Sequence, residues 1–334
     1  MKIKLLILAI FSSVHFLYAK HPQWSEYYVT PEMFGCVSDN WQAAEQNSQG
    51  LQKAIDCAIE KGLTLVSARN KKYYIAKGLI ITGHFDMDFG KATIIATDTM
   101  SMLTFKNGIA RKYAGSIRNF RLDMNDEAKI GINCENAIKL RFTDGEIVGI
   151  KKGGVGFYMG KGYEVFVDNI HFRGGQNNAT GIMMRTSDCH FSDCVMINCH
   201  TAIDNLGCNF YCRIHAWMTA PFIKESTFYR SRGGLAYLSQ CFGDTFDCAF
   251  DIVGTSELHI SQFRVFHNRI MWKEPYDKLS PVVFYFANNS IANKSYITLI
   301  DSNIGGLVLD GKNRQIFTNM NSNSIHQYGT VVHK

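Results

Sequence analysis

Two carboxylates, Asp204 and Asp251, fall at equivalent places in a chain that repeats itself, and a third, Glu225, lies between them. Paired carboxylates can donate and remove the protons needed to break a glycosidic bond. Arg185 and Lys224 supply positive charge for an anionic group, Tyr158 can stack on or hydrogen-bond a sugar, and Glu135 adds a further acid. The spacing places Asp204 and Glu225 one repeat apart, near 5 Å, and Asp204 and Asp251 two repeats apart, near 9.6 Å at about 4.8 Å per repeat. Retaining cleavage uses carboxyls about 5–5.5 Å apart and inverting cleavage about 6.5–9.5 Å, so both geometries stay open. The expected roles are Asp204 and Asp251 as acid/base pair, Glu225 as substitute member, and Arg185 as the clamp on a substrate carboxylate. Tyr158, Glu135 and Lys224 would complete the binding face.

A loose repeat of about 20–25 residues must position these groups. Gly131-Ile132, Gly156-Phe157, Gly181-Ile182 and Ala202-Ile203 each open a short apolar strand. A second apolar stretch follows, then a polar turn, then a third stretch such as Glu146-Ile147-Val148 or Val195-Met196-Ile197. Three short strands per period bury no face alone but do so when stacked on their neighbours, which marks a β-solenoid. Strand side chains alternate. Ile132, Phe157, Ile182, Ile203, Phe222 and Phe250 are therefore expected to point inward, and the chemistry-bearing residues outward. Later copies of the opening strand are expected at 221–225, 249–253 and 282–286.

Other polar residues fit structural roles better. Asp144, Asp168 and Asp193 fall at the turn after the second strand, where Asx side chains bond local backbone. Asp244 and Asp247 form an acidic patch beside Asp251 that suits a cation or plain solvation. The histidines, including His171 and His215, are scattered among the repeats. Ten cysteines are present, with Cys189, Cys194, Cys199, Cys208 and Cys212 crowded into two adjacent coils. No CxxC pair or zinc spacing occurs, so buried thiols and one or two disulfides are the open alternatives, and no metal is expected.

The chain has 334 residues, 46% hydrophobic composition and a net charge of +6. That supports one extended core. Lys2 and Lys4, the apolar run Leu5 to Leu17 and Ala19 read as a signal peptide over residues 1–19, implying a secreted or periplasmic protein. The run is short for a membrane anchor and no other stretch could span a bilayer. Without Lys2 and Lys4 the charge is +4, which suits an acidic polymer. The chain has no dense basic run with interleaved aromatics, so nucleic acid is not an expected partner.

Residues 48–62 read as an amphipathic helix, with Leu51, Ile55, Ala58 and Ile59 on one face, Ser48 as its cap and Gly62 as its stop. A helix ahead of a solenoid covers the open end of the first coil. The expected organisation is an entry segment and capping helix over 20–62, a solenoid over 63–310, and a tail or cap over 311–334.

The segment from Val29-Thr30-Pro31-Glu32-Met33-Phe34-Gly35 through Ser38-Asp39, then Leu51-Gln52-Lys53-Ala54-Ile55 and Tyr73-Tyr74-Ile75, resembles the entry of the pectate-lyase-like right-handed β-helix superfamily. That group includes phage tailspike depolymerases, polygalacturonases and rhamnogalacturonases. The resemblance implies an all-β, single-stranded right-handed parallel β-helix with an N-terminal capping α-helix, acting on a polysaccharide. It also makes a homotrimer a prospect, since tailspike relatives are trimers. Ser38-Asp39-Asn40 is a reduced form of the usual Gly-Asp-Gly, and Asn47-Ser48 replace the usual acidic pair. Of the polygalacturonase signature only Thr143-Asp144-Gly145 echoes a part, and the epimerase and pectate-lyase signatures are absent. Three readings follow. The first is a hydrolase of an acidic polysaccharide needing no cofactor. The second is a lyase working by β-elimination, for which calcium is an expected aid. The third is a non-catalytic polysaccharide-binding or surface-assembly protein.

Overall fold

The computed structural model describes residues 27–106, 115–175, 178–219, 226–266, 282–288, 294–305, 307–310, 325–328 and 331–333. The segment expected to be a signal peptide, residues 1–19, and the residues Lys224 and Glu225 lie outside them. The chain winds as a solenoid of parallel strands. The opening strands form one sheet of ten, running from Leu79–Ile81 to Leu307–Asp310. The second and third strands of each coil form a continuous sheet of 21 strands. Every pairing joins one coil to the next, parallel and nearly in register.

Single residues in the left-handed backbone region make the corners. In one coil they are Lys139, Asp144 and Gly149, and two coils on Asp188, Asp193 and Asn198, five residues apart. Asn and Asp tolerate that conformation because their short side chains bond locally. Cys189, Cys194 and Cys199 each follow such a corner and are buried. Their thiols donate to the carbonyls of Ser187 (3.5 Å), Ser192 (3.2 Å) and Ile197 (3.8 Å), so the trio marks three corners of one coil. Cys241 repeats the bond to Ser239 (3.3 Å), and Ser302 makes it with a hydroxyl to Ile300 (3.0 Å). All ten cysteines are free. Burial pushes the Cys189, Cys194 and Cys199 thiols up to about 12, which keeps them protonated donors. Of the two alternatives, the thiols prevail. Elsewhere the interior is filled by rings, with Phe105, Phe142, Phe157 and Phe191 meeting edge to face at 5.3–5.6 Å.

The capping helix, α1, spans Ala44–Lys61 and ends at Gly62, whose φ of 65° only glycine adopts freely. Leu51, Ala54, Ile55 and Ala58 are buried against the first coil. Ser48 is not its cap. It lies inside the helix, and its hydroxyl accepts the N–H groups of Ala76 (2.9 Å) and Lys77 (3.1 Å). Gln52 grips the backbone of Ile80 through both amide atoms, at 2.8 and 2.9 Å. Asn47 does the same to Val37 at 2.7 and 3.0 Å. The helix thus covers apolar side chains and also satisfies strand-edge groups that would otherwise template pairing with another chain.

One expectation changes. The coil after Thr201–Asn205 opens at Thr227–Ser231, with Tyr229 the register partner of inward Ile203, while Phe222 lies outside the described residues. Strands Ile325–Tyr328 and Val331–His333, within the segment expected as a tail or cap, pair in parallel with Tyr296–Ile300 and Asn303–Gly305.

Candidate functional site

On the outer face of the opening sheet, one register row holds Asn133, Tyr158, Met183, Asp204, Arg230 and Asp251. Two residues further along each strand, a second row carries Glu135, Arg185 and Arg232. Asp204 and Asp251 are two coils apart, as the repeat implied, with Arg230 directly between them. Arg185 belongs to the second row, because Met183 is the register partner of Tyr158.

Asp204 is almost completely buried, at 2% exposure. Its carboxylate accepts from Arg185 Nη1 (2.9 Å), Arg232 Nε (2.7 Å) and Arg232 Nη2 (2.8 Å), with both oxygens engaged. Burial alone would push this carboxyl up, but the guanidiniums of Arg232 and Arg185 outweigh it and hold the group below the usual carboxylate range. Asp251 takes a charge-assisted bond from Arg230 Nε at 2.7 Å. The register expected of an acid/base pair is therefore present, and Asp204, held ionised, fits the base of such a pair rather than its proton donor.

The same contacts make Arg185, Arg230 and Arg232 one cluster of three guanidiniums around two carboxylates. Arg185 bonds through Nη1 only, to Met184 O, Asp204 O and Asp204 Oδ1. Arg230 bonds through Nε only. The remaining guanidinium nitrogens have no partner among the described residues, and side-chain exposures of 23%, 26% and 41% for Arg185, Arg230 and Arg232 leave them reachable. A planar cation locked by a buried carboxylate, with donors left over, suits a ligand carboxylate. Arg230 and Arg232 escaped sequence reasoning because the strand carrying them was placed at 221–225. The signal that could have found them is Thr227, which matches the buried Thr201 at the start of the preceding copy.

The other expected site residues lie apart. Glu135 is bound by Lys106 Nζ (3.1 Å) and sits two coils before Arg185. Tyr158, half-buried, lies one coil before Met183 on the Asp204 row. Asp144 accepts from Asn169 Nδ2 at 2.7 Å, Asp168 from Ser192 Oγ at 2.5 Å, and Asp193 from Arg213 at 2.5 and 2.6 Å. That ladder is structural, but it is side-chain bonding between coils rather than to local backbone. Near the acidic patch, burial raises the Asp244 carboxyl and lowers the His215 imidazole. Among the described residues no group of three or more His, Cys, Asp or Glu is arranged to hold a metal ion.

A second surface feature was not anticipated. Phe166, His190, Phe210, Tyr237 and His259 stack along the outer face of the second strands, with centroids 4.5–5.0 Å apart and nearly parallel planes. Arg141 lies over the first ring at 5.2 Å. Sugars bind to ring faces, and here each face is covered by the next ring, so the stack is a ridge of edges. Among the described residues no helix is long and apolar enough to cross a membrane.

No protein-family model and no curated protein matches the chain. Solved structures do. The gp42 tailspike of Acinetobacter phage vb_AbaP_AS12 superposes with a TM-score of 0.56 at 13% identity, covering 93% of this chain and 57% of the tailspike. A mutant tailspike of E. coli bacteriophage HK620 in complex with a pentasaccharide gives 0.53 at 10% identity, covering 92% of this chain and 67% of that one. This chain thus spans little more than half the length of the first tailspike. These likenesses show the fold, a parallel β-helix with one α-helix near the N-terminus.

Proposed function

We propose that this is an exported carbohydrate-binding β-helix protein whose Arg185–Arg230–Arg232 cluster captures an acidic polysaccharide. The observation that carries this reading is the arginine excess. Three guanidiniums share two carboxylates, and the one fully desolvated carboxylate, Asp204, is consumed in fixing two of them. A ligand carboxylate would meet preoriented donors without displacing the internal pairs. Glycan binding by a similar fold, as in the pentasaccharide complex of the HK620 tailspike, agrees with this reading. Hydrolysis remains the second reading, favoured by the two-coil spacing of Asp204 and Asp251, about 9.6 Å and at the upper edge of the inverting range. In it Asp204, held ionised, would be the base and Asp251 the acid. A β-elimination variant would use the same cluster to neutralise a uronate.

The test is a screen of residues 20–334 against acidic polysaccharides, following binding, new reducing ends and the near-ultraviolet absorbance of unsaturated uronates together. Binding lost in Arg230→Gln, without either product signal, supports capture alone. Reducing ends lost in Asp251→Asn support hydrolysis, and absorbance supports elimination. No binding to any acidic polymer contradicts the proposal. N-terminal sequencing of exported protein tests cleavage after Ala19.

A further inference from the structure

A groove of about 570 Å³ runs along the corner between the second and third strands of the early coils, away from the opening sheet. One wall is the corner row Asn70, Lys91, Asn119, Asp144 and Asn169, all in the left-handed backbone region. The other is the third-strand row Lys72, Thr93, Arg121, Glu146 and His171, which are register partners in successive coils. The groove is therefore two parallel rows of polar side chains, each repeating about every 4.8 Å. That interval is close to the length of one pyranose unit.

Its two halves differ in charge. At the far end Arg121 is paired with Glu146, and Asn169 with Asp144. At the near end Lys72 and Lys91 are exposed and have no ion-pair partner among the described residues. Lys91 stands out among corner residues. A long charged side chain at a corner elsewhere is matched by an acid one coil away: Lys139 by Glu164, and Arg213 by Asp193. Lys91 sits between Asn70 and Asn119 with no ion pair to an acid of the described residues, in a conformation that Asn would adopt at lower cost. Corner Asn119 does not continue the ladder either, since its amide turns aside to Asp88 at 2.9 Å.

We infer that this groove is a second saccharide-binding site, in which a chain lies along the solenoid axis with an anionic group on Lys72 and Lys91. Asn70 lines the site beside the two lysines, and Glu146 and His171 close the other end. The site does not depend on the arginine cluster. The groups that hold the anion are cations on a screened surface, so binding weakens as salt rises.

The test is calorimetric titration of residues 20–334 with three probes: an oligogalacturonate, a sulfated dextran oligomer and neutral maltohexaose. Lys72→Gln and Lys91→Asn would be compared with the parent, Asn being a residue that the Lys91 corner accepts. The expected result is two binding events among the anionic probes, one that falls at least tenfold in the lysine variants and persists in Arg230→Gln, and one that is weakened in Arg230→Gln and persists in the lysine variants. Preference between the two anionic probes separates carboxylate from sulfate. Binding lost in Arg230→Gln and untouched by the lysine substitutions overturns the groove while leaving the proposed function standing. Binding lost only in the lysine variants keeps the groove and overturns the arginine cluster. No lysine-dependent binding to either anionic probe, or equal binding of maltohexaose, overturns the inference.

Discussion

The opening-sheet cluster and the corner groove are built from the same residue classes in opposite physical states. In the cluster, Asp204 is buried and bonded by two guanidiniums. In the groove, Asp144 is exposed and holds a single amide. A carboxylate removed from water depends on its partners, whereas one left in water does not. The difference teaches that a repeat gives equivalent positions without equivalent chemistry. Neighbouring coils decide which charges are locked and which are free to meet a ligand.

The largest effect that would break this contrast is on stability. Asp204→Asn should cost about 2–3 kcal/mol, somewhat below a fully buried pair because Arg232 is part-exposed, while Asp144→Asn should stay within about 0.5 kcal/mol. Denaturant titration of both variants checks it. The same pair sharpens the contrast through pH. Asp204's folded-state pKa lies below the ordinary carboxylate value, so its contribution is fully present above about pH 4 and is lost as pH falls through the folded value. The parent should lose stability over that acid window more steeply than Asp204→Asn, as pH-resolved melting would reveal.

A smaller loss, about 1–2 kcal/mol, is expected for Ser48→Ala, which removes the acceptor of the Lys77 N–H and leaves the Ala76 N–H only a 3.4 Å bond to Ala44 O at the covered edge. The smallest is Cys194→Ser, at about 1 kcal/mol or less, because a hydroxyl can make the bond that the thiol makes, as Ser302 does in a later coil. A cost above about 3 kcal/mol in chemical denaturation would mean that sulfur packing, not the corner bond, fixes that position.

Much of the fold was legible because its signals are local. Ile132, Phe157, Ile182, Ile203 and Phe250 lie in the register that their flanking residues imply. The corner Asx residues carry their own conformational preference. The capping helix showed its apolar face, although Ser48 looked like a cap because Ser is favoured at helix starts, and its bonds to residues 28 and 29 positions away left no local trace. The site was half legible for the same reason. Asp204 and Asp251 occupy the expected row, but the arginines that set their state come from a strand that two apolar candidates, at Phe222 and Tyr229, could equally have opened. The corner cysteines were within reach: Asp188-Cys189, Asp193-Cys194 and Asn198-Cys199 place a turn former before a small buried residue three times, five residues apart.

The most direct measurement is the affinity of residues 20–334 for an oligogalacturonate, with Arg185→Gln and Arg230→Gln beside the parent and folding verified by melting. Each substitution should weaken binding by about tenfold or more, roughly 1.4 kcal/mol, with the parent's affinity falling as salt rises. Unchanged affinity in both folded variants would contradict the assignment of the arginine cluster as the site that captures an acidic polysaccharide.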